Sequence, residues 1–159
     1  MIIVNSLFFL VGWKIILSEL SLSDEWETPK ELFDYLCKKY NFYPYRDVCA
    51  TKKNKKCIAY FDKKQNGLNQ KYNFTNWCNP PHSETENFVK KSCWEFLLSD
   101  FETMMIIPAN SICTNYSLTH IIGIAEFYPI IGKINFLHYG NDVDRSRNCY
   151  FVVIWRKKN

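Results

Sequence analysis

Between residues 24 and 155 of a 159-residue chain, short apolar runs alternate with segments of helical period, and few architectures accommodate that order. DEWETPKELFDYLCKKY reads as a helix: Pro29 falls in its first turn, Thr28 is placed to cap it, and Leu32, Phe33, Leu36 and Tyr40 share one face. SETENFVKKSCWEFLLSD is the second, with Phe88, Val89, Cys93, Phe96 and Leu97 recurring every three to four residues. Around them NFYPYRDVCA, KCIAYF, NFTNWCN, TMMIIPAN, GKINFLHY and NCYFVVIW read as strands, the last long, β-branched and aromatic. Such interleaving predicts an α/β domain with a mostly parallel sheet and helices on both faces. In these sheets ligands settle beyond the carboxyl ends of the strands. Asp47, Asp62, Asn79 and Pro108 stand at predicted strand ends, so they are expected on one rim.

With 47% apolar residues the chain can bury one such core, and it is too short for two domains. No repeat, low-complexity tract or linker interrupts residues 24–159, which read as a single domain. Residues 1–23 stand apart. MIIVNSLFFLVGWKIIL is apolar over 17 residues, short of the ~20 that a membrane span requires. It lacks the basic start and cleavage site of a secretory signal, and reads as a helical extension packed on the domain or a partner in preference to a membrane anchor.

A net charge of +4 is compatible with a polyanionic partner. The lysine runs at 51–56, 63–64, 90–91 and 156–158 read equally well as solvated faces. Seven cysteines include no CxxC pair, and no His lies at zinc-ligand spacing, so no metal site is expected. Cys78, Cys113 and Cys149 fall in apolar runs and read as small hydrophobes in a reduced, cytosolic setting. Trp77 and Trp94 read as core, and His120 and His138 as surface or core-edge residues.

FTNWCNPPHSE, residues 74–84, carries the chemistry. Two consecutive prolines fix two φ angles, remove two donors and push the residue before each out of the helical region. The resulting stiff turn offers two adjacent acceptors, the Asn79 side-chain oxygen and the Pro80 carbonyl. That pair suits a planar –NH2 with two hydrogens to donate. Holding both hydrogens turns the nitrogen lone pair toward an electrophile, a positioning and electrostatic effect without covalent catalysis. A flat side chain after the prolines, here His82, could stack on the ring carrying the amine. The same tetrapeptide also fits a plain loop in which Asn79 caps the next helix.

With its flanks, the chain resembles the phage-type DNA N6-adenine methyltransferases, which use S-adenosylmethionine. The resemblance covers residues 24–155 and rests on ordered pieces: DEWETPKELFDYL, RDVCATKKN, CIAYF followed by NGL, NWCNPPH, the helix with FVKKS, MMIIPAN and GKINF. It implies a Rossmann-like class I methyltransferase fold. It implies Asn79, Pro80 and Pro81 as the catalytic turn, with His82 as stacking plate. Trp26, Thr28 and Pro29, with Asp47, Cys49 and Ala50, would line the cofactor site. Asp62 is the candidate for the ribose hydroxyls, and Asn66 and Leu68 would flank the cofactor adenine. Three residues depart from the family pattern: His82 stands where Tyr is usual, Asn66 where Asp is, and Lys133 where Arg is.

The implied substrate is an adenine flipped from duplex DNA, or presented on a single strand, in the cytoplasm of a microbial or phage-infected cell. Loops 83–87 and 137–148, the latter with Arg145 and Arg147, are the expected DNA readers, and a homodimer is compatible with so small a domain. Ser111 and Thr114 fit phosphate contacts or helix capping equally. Two alternatives stay open: methylation of a planar amine in RNA or on a protein glutamine, and a degenerate methyltransferase fold that binds nucleic acid or a partner.

Overall fold

A computed structural model of the protein describes residues 26–142 and 149–158. The extension at 1–23 and the arginines at 145 and 147 lie outside the described residues. Helix α1 (Lys30–Tyr40) turns Phe33, Leu36 and Cys37 inward. It ends at Asn41, which adopts φ 49 as short polar residues tolerate, while the Phe42 N–H returns to the Cys37 carbonyl at 3.0 Å. Its start corrects the expected cap. Pro29 is extended (φ −56, ψ 143) just outside the helix, and the buried Thr28 hydroxyl has no hydrogen-bond partner. Because Pro29 is itself extended, it takes the N-cap position, and Thr28 stands one residue too early to cap a helix that begins at Lys30.

The main sheet contains β1 (Arg46–Asp47), β2 (Ala59–Tyr60), β3 (Asn76–Cys78), β4 (Thr103–Pro108), β5 (Glu126–Ile130) and β8 (Tyr150–Trp155), in the order β2-β1-β3-β4-β8-β5. β1 pairs parallel with β2 and β3, and β3 with β4; β8 is antiparallel to both β4 and β5. Only β8 is reversed, so the sheet is the mostly parallel, Rossmann-like one expected.

Every residue of β4 is buried, as its unbroken apolar run requires of a central strand. Alternation then sorts the core. Met104 and Ile106 join Phe33, Leu36, Trp77, Val152 and Ile154 on the α1 face. Met105 and Ile107 join Phe88, Val89, Cys93, Val153 and Trp155 under α2 (Thr85–Ser99). Helices therefore cover both faces. α3 (Asn115–His120) packs beside α2, and the Trp155 indole donates 2.9 Å to the His120 carbonyl.

Several local expectations are corrected. Trp94 and Leu97 are exposed on the outer side of α2, because the stripe facing the sheet is used up by Phe88, Val89 and Cys93. Cys113 and Cys149 are exposed, whereas Cys78 is buried. GKINFLHY is not a sheet strand: Ile134 and Phe136 are buried, but only β6 (Leu137–His138) is extended, forming a hairpin with β7 (Asn141–Asp142). Strand β5 and helix α3 carry no expectation from sequence. Thr114 does cap α3, its hydroxyl accepting from the Ser117 N–H. No helix among the described residues is long and apolar enough to cross a membrane.

Candidate active site

Because β1, β2 and β3 run parallel, the residues that follow them emerge along one edge. Asp47 closes β1, Asn79 follows β3, and Asp62 lies two residues beyond β2. A cavity of about 530 Å³ opens there, and eight of the residues singled out from sequence line it: Trp26, Cys49, Ala50, Asp62, Asn66, Leu68, Asn79 and Pro81. A second cavity of about 20 Å³ adjoins it, sharing Trp26, Cys49 and Asn79 and adding Thr28 and Asp47. Asn79 thus connects the main cavity to Asp47. Pro29, Pro80, His82 and Pro108 line neither cavity.

The Asn79 side chain has one chemically sensible orientation. Its Nδ2 donates 2.8 Å to the Trp26 carbonyl. A carbonyl can only accept, so the amide nitrogen must face it and Oδ1 is left for an incoming donor. Among the described residues nothing donates to Oδ1 or to the Pro80 carbonyl. The capping alternative fails, because a 3₁₀ turn (His82–Glu84) intervenes and Glu84, not Asn79, precedes α2. For the same reason residues 83–87 are helical and not a free loop.

Trp26 is itself held. Its neighbour Glu27 exchanges two backbone hydrogen bonds with Leu137, of 2.7 and 2.9 Å. The indole stacks on Phe136 at 5.3 Å and meets the His82 ring edge-on at 5.4 Å. The Tyr150 hydroxyl lies 3.3 Å from His82 Nε2. An aromatic wall drawn from three distant segments therefore backs the Asn-Pro-Pro turn.

Asp47 is buried, and its two oxygens accept from the backbone N–H of Cys49 (3.3 Å) and Lys56 (3.1 Å). Burial pushes its carboxyl up to about 6, against a smaller lowering by those two amides. Its role in the geometry is to shape the loop after β1 from beneath. Asp62 Oδ1 accepts from the N–H groups of Lys64 (3.0 Å) and Gln65 (2.9 Å), which pins its carboxylate at the cavity edge. Asn66, at φ 52, accepts from the Leu68 N–H at 3.1 Å and starts a short 3₁₀ turn.

Sequence reasoning did not place Val48, Thr51, Asn54, Phe61, Lys63, Gly67 and Phe88 at the cavity; with Ser83 and Glu84 they complete its wall. Gly67 carries a specific constraint: a Cβ there would stand 2.0 Å from the Val48 carbonyl oxygen. Asn66-Gly67 was readable as a turn signal, but its close approach to the loop after β1 was not.

Residues 18–159 match the family model for DNA N-6-adenine-methyltransferases (Dam). The chain is also similar to the DNA N-6-adenine-methyltransferase of Escherichia phage T1, at 32% identity over 93 residues. That alignment covers 57% of this chain and 38% of the phage protein, so it spans well under two thirds of the relative's length. The family match embraces every described element, from the Trp26 segment through the Asn-Pro-Pro turn to the reversed strand β8. Sheet order, rim and sequence agree: the chain belongs to the DNA N-6-adenine-methyltransferase (Dam) family.

Proposed function

We propose that the protein transfers a methyl group from S-adenosylmethionine to the N6 amine of adenine in DNA. The observation that carries this reading is the Asn79 side chain, which lines a cofactor-sized cavity and is tethered through Nδ2 to the Trp26 carbonyl, so that Oδ1 is left for an incoming donor.

The cavity residues fit the cofactor. Its volume of about 530 Å³ is within the range of small-molecule sites. Asp62 offers a carboxylate for ribose hydroxyls, and Phe61, Leu68 and Phe88 offer apolar walls for a purine. Gly67 lets the loop after β2 close on Val48 without obstruction. When bound there, the cofactor supplies a methyl group on a positively charged sulfur.

The chain's residues would act on the substrate amine. Asn79 Oδ1 and the Pro80 carbonyl accept its two hydrogens, holding the nitrogen lone pair toward the methyl donor and stabilising the positive charge that grows on nitrogen as the bond forms. Neither acceptor takes a proton away; after transfer the charged amine sheds one to water. His82 follows the turn directly, its ring held by Trp26 and Tyr150, and in this reading it stacks on the flipped adenine. The substrate is thus a base out of its stack.

Expression in cells that lack adenine methylation, followed by mass spectrometry of digested DNA, tests the assignment. N6-methyladenine in DNA with the wild type, and none with Asn79→Ala, is the expected result. Absence of the mark from DNA with soluble wild-type protein present, or its appearance in RNA alone, would overturn it.

A further inference from the structure

The positive charge of this chain is not spread over its surface. Residues 48–66 hold six lysines against one carboxylate, Asp62, a net +5 where the whole chain nets +4. The other residues together therefore net −1, taking +5 from +4. This segment contains the two loops that frame the cavity, the one following β1 at Asp47 and the one following β2 at Tyr60. Lys52, Lys53, Lys63 and Lys64 are exposed there. All five ion pairs among the described residues lie elsewhere, joining Lys30 to Asp34, Lys90 to Glu86, Lys91 to Glu95, Arg156 to Glu126 and Lys157 to Asp100.

An uncompensated cationic rim is the wrong sign for the cofactor. S-adenosylmethionine carries a net positive charge, so these lysines oppose its entry and serve something else. A polyanion bound across the cavity mouth accounts for both the charge and its place, because each lysine that meets a phosphate releases a counterion. We infer that the loops after β1 and β2 form the phosphate-binding surface on which DNA lies while a base reaches the Asn-Pro-Pro turn. The inference rests on the proposed function for the identity of the polyanion. It moves the DNA contact away from residues 83–87, which are helical, to two loops whose charged side chains are six lysines and Asp62.

The test is Lys52→Gln/Lys53→Gln/Lys64→Gln, three exposed side chains outside the cavity wall, with affinity for a short duplex measured by anisotropy across a salt series. Three lost contacts should flatten the plot of log affinity against log salt by up to about 2.7, at about 0.9 per phosphate, and weaken binding near 0.1 M salt at least about tenfold. Cofactor affinity by calorimetry should be unchanged. Wild-type slope and affinity in the variant, with the wild type methylating DNA, would overturn the inference and leave the function standing. The expected loss of DNA binding in a protein that transfers no methyl group would uphold the surface and sink the function. Failure of the wild type to bind DNA, or tighter lysine-dependent binding to RNA of equal length, would overturn both.

Discussion

Replacing Asp47 with asparagine separates what this buried carboxylate does for folding from what it does for the site. The native carboxyl titrates near 6, against an ordinary value of 3.8, because burial penalises its charged form. The unfolded chain releases that proton at the lower pH, so between 3.8 and 6 the native state binds more protons than the unfolded state. Stability therefore falls as pH rises through this window. At about 1.4 kcal/mol per tenfold change in ionisation constant, the full penalty is about 3 kcal/mol, of which about 2 develops between pH 4.5 and 7.5. Asparagine keeps the shape and removes the charge. It also leaves one of the Cys49 and Lys56 amides facing an –NH2, at a pH-independent cost of about 1–3 kcal/mol. Urea unfolding followed by tryptophan fluorescence, at several pH values and constant ionic strength, reads the difference between variant and wild type. That difference should move in the variant's favour by about 2 kcal/mol from pH 4.5 to 7.5. A difference flat to within about 0.5 kcal/mol would refute the claim that a charge is buried at this position. Cofactor affinity should drop in the variant even where its stability rises, since the loop after β1 loses a hydrogen bond that shapes the cavity.

Asn79→Ala should lower the methyl-transfer rate about 10²- to 10³-fold while leaving cofactor affinity within a few-fold, measured with labelled S-adenosylmethionine and by calorimetry. A variant retaining more than a tenth of the rate would count against the acceptor role. Gly67→Ala places a methyl 2.0 Å from the Val48 carbonyl oxygen, so the two rim loops must part. A loss of about 1–3 kcal/mol in urea unfolding and weaker cofactor binding are expected, and an unchanged transition would mean the loops do not meet. His82→Tyr enlarges the stacking surface beside Trp26 and should speed transfer; an unaltered rate would remove the stacking role.

The parts of the fold that were legible in the sequence are those set by local pattern. The runs ending at Asp47, Asp62, Asn79 and Pro108 mark the ends of β1, β2, β3 and β4 because punctuating polar residues and prolines interrupt apolar strands. Faces of α1 and most of α2 followed from a 3.6-residue period. Errors arose where a second, nonlocal constraint competed. Trp94 continues the apolar run of α2 but lies on the face the sheet does not cover. β5 was hidden by Pro129, tolerated because β5 is an edge strand needing only β8 as partner. GKINFLHY has strand-like content, but its backbone pairs with Glu27 and with β7 in place of the main sheet.

The active site divides along the same line. The Asn-Pro-Pro turn could be recognised as an acceptor pair from its residue types alone, since proline geometry is local. What aims it could not. The bond from Asn79 to Trp26 spans 53 positions, and the contact of His82 with Tyr150 spans 68. A turn with the right acceptors but a freely rotating amide would present nitrogen as often as oxygen, and a donor amide facing a substrate –NH2 repels it. Trp26 removes that ambiguity through a main-chain carbonyl, which any residue at this position supplies. Side-chain substitutions at Trp26 should therefore act through the stack with Phe136 and His82, while displacement of the whole strand segment, by breaking the Glu27–Leu137 pairing, should disarm the turn itself. On the proposed reading, the Asn-Pro-Pro motif is necessary and insufficient: its competence would depend on a backbone pairing between residues 27 and 137 that contributes no side chain to the chemistry.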